Sequence, residues 1–143
     1  MKKVLVIDDD LDMTTAISHI VKTINPDFQC TCVNDPYEAL LELADENFDL
    51  VLIDQRIPGL YGSELLKKID DFINLDPAIE KLGLYDKPLQ VIMMSGSADI
   101  KKLHLSFSHF NVTDYVQKSE LTDFLRKKLS PGDQSELNAT VSI

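Results

Sequence analysis

Three acidic residues follow directly on an apolar run in Val4-Leu5-Val6-Ile7-Asp8-Asp9-Asp10, and Asp12 lies just behind them. Like charges this close raise one another's pKa and resist joint ionisation, so the crowding calls for a compensating charge. A hard divalent cation with oxygen ligands supplies one. An acidic turn that also caps a helix is the other reading of the triplet taken alone. Further along, the apolar stretch 48–53 ends in Asp54, the stretch 89–94 ends in Ser95, and the stretch 112–116 is followed by Lys118. Together these are carboxylates, a hydroxyl and an ammonium. Neighbouring carboxylates suit Mg²⁺, which leaves coordination positions for water or phosphate. A carboxylate that the metal does not fully engage can attack phosphorus. The metal and Lys118 would offset charge spreading over the phosphoryl oxygens, and Ser95 would hydrogen-bond one of them. Asp54 stands alone and is the best nucleophile; Asp8 and Asp9 come as a pair and suit metal binding.

That chemistry requires distant residues to meet, and the order of elements explains how. Strands are expected at residues 4–8, 28–33, 48–54, 89–95 and 112–116. Helices are expected over Leu11–Ile24, 36–46, from about Ser63, over 99–107 and over Leu121–Leu129, the last capped by Ser119. The first helix repeats Met13, Ala16, Ile17, Ile20, Val21 and Ile24 on the helical period. The second opens on Asp35 as N-cap and Pro36 at its first position, with Tyr37, Leu40, Leu41 and Ala44 inward. The third sets Leu65, Leu66, Ile69, Phe72 and Ile73 on one face. Nearly continuous apolar strands suit a parallel sheet covered on both faces. Five β–α units predict a doubly wound α/β fold. Ligands in such folds bind beyond the carboxyl ends of the strands, where all the residues named above would lie.

Composition narrows the function. The 143 residues predict one domain, with residues 130–143 as a disordered tail. A net charge of −10 offers no basic footprint for nucleic acid or an anionic membrane surface. No apolar stretch nears the ~20 residues of a bilayer span. Met-Lys-Lys before four apolar residues is too short for a signal peptide, so a cytoplasmic protein is expected. Cys30 and Cys32 would share one face of a strand about 7 Å apart, too far for a disulfide there, and read as packing residues. His19, His104 and His109 read as ordinary helix or loop residues.

The constellation resembles the receiver domain of two-component response regulators. The resemblance is carried by Asp8-Asp9 after Val-Leu-Val-Ile, by Asp54-Gln-Arg-Ile-Pro58-Gly-Leu-Tyr-Gly62, by Met-Met-Ser95-Gly, and by Asp-Tyr115-Val-Gln-Lys118, and covers about residues 2–129. It implies the flavodoxin-like receiver fold, with strand order 2-1-3-4-5 and helices on both faces, and a receiver spanning residues 1–129. It implies a stand-alone response regulator that takes a phosphoryl group from a phosphohistidine donor, a histidine kinase or phosphotransfer protein. Asp54 would be the phosphoacceptor. Mg²⁺, or Mn²⁺ in its place, would be held by Asp8, Asp9, Asp54 and the backbone carbonyl of Arg56. Ser95 and Lys118 would contact the phosphoryl group, and Ser95 and Tyr115 would switch a binding face for a downstream protein. Such a chain assists its own phosphorylation and autodephosphorylation but is not an enzyme in the ordinary sense, and is expected as a monomer or weak homodimer.

The sequence departs from the family pattern in two places. Ser119 follows Lys118 where many receivers carry proline, which predicts a differently shaped loop. Residues 70–87 are longer than usual, and Asp76-Pro77 with Gly83 predicts a lengthened third helix and a short extra helix over 77–82. Two rival readings share the fold. One is a phosphorylation-independent interaction module. The other is an aspartyl-nucleophile phosphatase, which wants a second acid where Arg56 stands. Nucleotide binding lacks both GxxxxGK[ST] and GxGxxG.

Overall fold

Apolar runs become strands in order along the chain. The computed structural model describes residues 2–57, 60–76, 78, 87–96 and 107–131. Its strands are β1 (Lys2–Ile7), β2 (Phe28–Val33), β3 (Leu50–Asp54), the two-residue β4 (Arg56–Ile57) and β5 (Leu60–Tyr61), then β6 (Leu89–Ser95) and β7 (Phe110–Gln117). The five longer strands form one parallel sheet in the order β2-β1-β3-β6-β7. This is the expected 2-1-3-4-5 order; the numbers differ because β4 and β5 form a small antiparallel hairpin of their own. Every residue of β3 and β6 is buried, whereas the edge strands β2 and β7 alternate with exposed or half-buried positions. Continuous apolar sequence therefore marks the strands covered on both faces.

Side-chain alternation divides the core in two. Leu5, Ile7, Val51, Ile53, Val91 and Met93 pack on one face, under α2 (Pro36–Asp45) and α3 (Gly62–Leu75). Val4, Val6, Leu50, Leu52, Ile92 and Met94 pack on the other, under α1 (Leu11–Ile24) and α4 (Leu121–Leu129). Two helices open on aspartate caps, of which Asp35 is the one expected from sequence. Asp10 accepts from the amides of Asp12 and Met13 at 3.0 and 3.3 Å, and Asp35 accepts from Tyr37 and Glu38 at 2.6 and 3.4 Å ahead of Pro36. Among the described residues no helix is long and apolar enough to cross a membrane.

Several helix faces differ from expectation. In α2 the buried residues are Ala39 and Leu43, while Tyr37 and Leu41 face solvent at 67% and 53% exposure. Apolar residues at four nearby positions leave the phase of the stripe open, and the sheet chose the smaller Ala39 for close approach. In α1, Thr14 is buried where Ala16 is exposed. In α3 the buried stripe runs Leu65, Leu66, Ile69, Asp70 and Ile73, and Phe72 is exposed. Ser119 does not cap α4: it lies in a 3₁₀ turn (Lys118–Glu120), and the N-cap position is Glu120, without a side-chain cap bond. Helix α3 runs to Leu75, but nearly all of the extra helix expected over 77–82 and of that over 99–107, Pro58, and residues 132–143 of the expected tail lie outside the described residues.

Two polar features sit within this core. Strand β7 begins two residues before the expected 112 and carries a bulge: Val91 pairs with Val112 but Ile92 with Asp114, leaving Thr113 extra. Buried Gln90 donates to the Thr113 hydroxyl at 2.9 Å. At the amino end of the sheet, Asp70 is 5% exposed. It accepts from the His109 amide at 2.8 Å, with His109 Nδ1 also at 2.8 Å, and from the Ser108 amide and Asn74 Nδ2 at 3.4 Å. His109 is thus a structural partner that ties the start of β7 to α3.

Candidate functional site

The carboxyl ends of β1, β3 and β6 lie level, because Ile7 is in register with Ile53, and Asp54 with Met94. The first polar residue after each apolar run therefore emerges on one rim. Asp8, Asp54 and Ser95 are buried there, at 1%, 7% and 5% exposure, and Asp9 is exposed. Carboxylate oxygens of Asp8, Asp9 and Asp54 lie within 4.8 Å of one another. Lys118, just past β7, brings its Nζ to 2.8 Å from Asp8 Oδ2 and 3.1 Å from Asp54 Oδ2. The absence of proline after Lys118 does not keep its ammonium from the site.

Local backbone holds these groups in place. Asp8 Oδ1 accepts from the Asp10 amide at 3.0 Å, and Asp54 Oδ1 from the Arg56 amide at 3.2 Å. The Gln55 amide donates to the Met94 carbonyl at 2.7 Å, extending the ladder past Asp54. The hairpin of β4 and β5 then returns the chain, so that the Gly62 amide donates to the Gln55 carbonyl at 2.8 Å. Glycine at 62 serves packing more than turning. A Cβ there would overlap the Asp54 carbonyl oxygen and press on Met93 Sδ at 3.0 Å. The first residue of α3 thus abuts the backbone of the proposed phosphoacceptor.

Electrostatics follow from burial. Desolvation raises the Asp54 pKa above the usual carboxylate value; the Arg56 amide and Lys118 pull it down, and Asp8 pushes it up again. Burial alone would lower Lys118, but Asp8 and Asp54 outweigh it and keep the ammonium charged above its ordinary range. Burial also raises Tyr115, which is half-buried against the α2–α3 side of the core.

One ammonium facing three carboxylates leaves the rim under-compensated. Among the described residues no donor makes an aligned hydrogen bond to the buried Asp8 Oδ2, which has the Lys118 ion pair beside it. An all-oxygen donor set of this size and charge fits a Mg²⁺ site. The structure brings Asp8, Asp9, Asp54, Ser95 and Lys118 to this rim, with Arg56 two residues past Asp54 and Tyr115 packed against the α2–α3 side of the core. The sequence reading missed Asn34, whose Nδ2 donates to the Asp8 carbonyl at 2.9 Å. The signal was an amide side chain at the very end of an edge strand, which reads from sequence as a turn residue.

Comparison with known proteins agrees with the geometry. The profile of the "Response regulator receiver domain" family matches residues 4–130. The chain is 36% identical over 75 residues to the transcriptional regulatory protein CpxR homolog of Haemophilus influenzae, covering 52% of this chain and 32% of that protein. It is 29% identical over 66 residues to the cyclic di-GMP phosphodiesterase response regulator RpfG of Xanthomonas campestris, covering 46% of this chain and 18% of that protein. The matched segments are therefore less than a third of either relative's length. Among solved structures, response regulator protein TrrA of Thermotoga maritima, crystallised in complex with Mg²⁺-BeF, superposes with a TM-score of 0.63 at 21% identity, over 96% of this chain and 99% of that one. A sheet of this order, an acidic rim at its carboxyl end and a family profile spanning nearly the whole chain have one common account: the chain belongs to the response regulator receiver domain family.

Proposed function

We propose that this chain, through a receiver spanning residues 1–129, accepts a phosphoryl group on Asp54 from a phosphohistidine donor, a histidine kinase or phosphotransfer protein. The observation that carries the reading is the meeting of Asp8, Asp9 and Asp54 within 4.8 Å, with Lys118 bridging Asp8 and Asp54. Asp8, Asp9, Asp54 and the Arg56 backbone carbonyl would hold Mg²⁺, or Mn²⁺ in its place. When bound, the metal draws charge from the phosphoryl oxygens and lowers the repulsion between them and the attacking carboxylate. A carboxylate oxygen of Asp54 forms the new O–P bond as the donor's N–P bond breaks, and the electron pair leaves on the imidazole. Lys118 and Ser95 bind phosphoryl oxygens. The same groups act when water later removes the phosphoryl group, so the chain assists both its phosphorylation and its autodephosphorylation.

Phosphorylation adds about −1.5 to −2 charges at this rim. Ser95 drawn toward the phosphoryl group and Tyr115 turning inward then bias the β6–β7 side of the molecule. A groove lined by Tyr115, Val116, Glu120, Phe124 and Lys127 lies between β7 and α4 and would present the altered face to a protein target. The reading puts the reaction in the cytoplasm, a reducing compartment in keeping with free Cys30 and Cys32.

The test is intact-mass spectrometry after incubation with acetyl phosphate and Mg²⁺. One phosphoryl group is expected on wild type, none on Asp54→Ala, and none in EDTA. A folded wild type that gains nothing would overturn the proposal in favour of a phosphorylation-independent interaction module.

A further inference from the structure

Asp8 stands one residue beyond the end of β1. Its amide still reaches back to β2, donating to the Val33 carbonyl at 3.2 Å. In a parallel ladder the next bond would run from the backbone amide of residue 35 to the Asp8 carbonyl. That bond is not made; residue 35 serves instead as the N-cap of α2. The side chain of Asn34 takes its place, with Nδ2 donating to the Asp8 carbonyl at 2.9 Å and lying 3.2 Å from the buried Thr14 hydroxyl. That hydroxyl in turn donates to the Leu11 carbonyl at 3.0 Å, in the first turn of α1.

The Asp8 carbonyl belongs to the peptide unit that joins Asp8 to Asp9. An amide fixing that carbonyl fixes the plane from which both carboxylates project. We infer that Asn34 is a positioning residue for the divalent cation: it completes the β1–β2 ladder with its side chain and so sets the spacing of Asp8 and Asp9. It touches neither the cation nor Asp54, and works by holding the linking peptide still. The inference rests on the proposed Mg²⁺ site. Partners one step removed from a metal typically change its affinity 10- to 100-fold. Acting through backbone, Asn34 belongs at the lower end of that range.

The experiment is isothermal titration of Mg²⁺ into the full chain, wild type and Asn34→Ala, with urea unfolding of both in EDTA. Wild type must bind Mg²⁺; if it does not, the proposed function itself fails. With wild type binding, Asn34→Ala is expected to bind about tenfold more weakly. Mutants then gain less thermal stability at a fixed Mg²⁺ concentration, while phosphoryl uptake recovers at saturating Mg²⁺. Equal Mg²⁺ affinity in a folded Asn34→Ala protein, whatever its metal-free stability, would overturn the inference and leave Asn34 a structural residue. Thr14→Val guards against failure of the first variant to fold. It removes the hydroxyl that Asn34 shares and should weaken Mg²⁺ less than threefold if the Asp8 carbonyl is the bond that matters; a larger loss would count against the assignment.

Discussion

The two ends of the sheet each bury aspartate, and they treat it in opposite ways. At the amino end, Asp70 is 5% exposed and surrounded by donors from Ser108, His109 and Asn74. At the carboxyl end, Asp8 and Asp54 are as deeply buried, yet they face each other and Asp9 with the Lys118 ammonium between them. Burial alone therefore says little about what an acid does. An acid ringed by donors holds chain segments together, and acids that crowd one another keep a place for incoming charge.

The largest effect expected from this contrast is at the satisfied end. Asp70→Ala removes the carboxylate that the Ser108 and His109 amides and the His109 imidazole share and should cost about 3 kcal/mol in urea unfolding. Phosphoryl uptake by the folded protein should be unchanged, and a loss of both would break the contrast. Next comes Gly62→Ala, which sets a methyl group against the Asp54 carbonyl. Displacing a reacting group by about an ångström should slow uptake from acetyl phosphate by about 100-fold, measured by mass against time.

A smaller effect of opposite sign is expected at the crowded rim. Folding raises the Asp54 pKa above its ordinary 3.8, so the fold holds that proton more tightly than the unfolded chain does. The contribution of Asp54 to metal-free stability should thus fall as pH rises from 3.8 through the folded value. Asp54→Asn should make the metal-free protein more stable at neutral pH by about 1 kcal/mol, in urea unfolding with EDTA. A destabilised Asp54→Asn would mean that the Lys118 contact outweighs the crowding.

The effect with the least bearing on the rim lies away from both ends. Burial, with Cys32 beside it, pushes the Cys30 thiol up to about 11, and Ser18 and Lys22 offset this only in part. At pH 8 its thiolate should be about 100-fold scarcer than that of an ordinary cysteine, so iodoacetamide should label native Cys30 correspondingly slowly. The sign for stability is the same as for Asp54. The contribution of the neutral thiol is intact below the unfolded value of 9.0 and is lost as pH rises toward 11.

The sheet and its rim were legible because both rest on one signal. A doubly buried strand needs an unbroken apolar run, and the first polar residue after it marks the carboxyl end. Asp8, Asp54 and Ser95 are such residues, and a common register brought them together. Helix phase was less legible. Tyr37, Leu41 and Phe72 are apolar enough for the core but point outward, because the space against the sheet was taken by Ala39, Leu43 and Ile73. The hairpin of β4 and β5 is too short to carry any periodicity, and the roles of Asn34 and Gly62 depend on contacts with residues 26 and 8 positions away.

The face formed by α1 and α4 sets a condition on the order of assembly. Val4, Val6, Ile17 and Val21 share their core with Leu121, Leu125 and Leu129, and Asn25 Nδ2 binds the Leu129 carbonyl across 104 residues of chain. A ribosome delivers the first of these groups long before the last. Until residue 129 emerges, α1 can pack on β1 and β2, but the side it turns to α4 has no permanent cover, and the helix that closes that side is the final described element of the chain. Long-range closure of this kind slows folding and leaves apolar surface open meanwhile. Nascent chains cut short before α4 should therefore bind holdase chaperones, and the release of those chaperones would time the moment at which the acidic rim becomes a finished site.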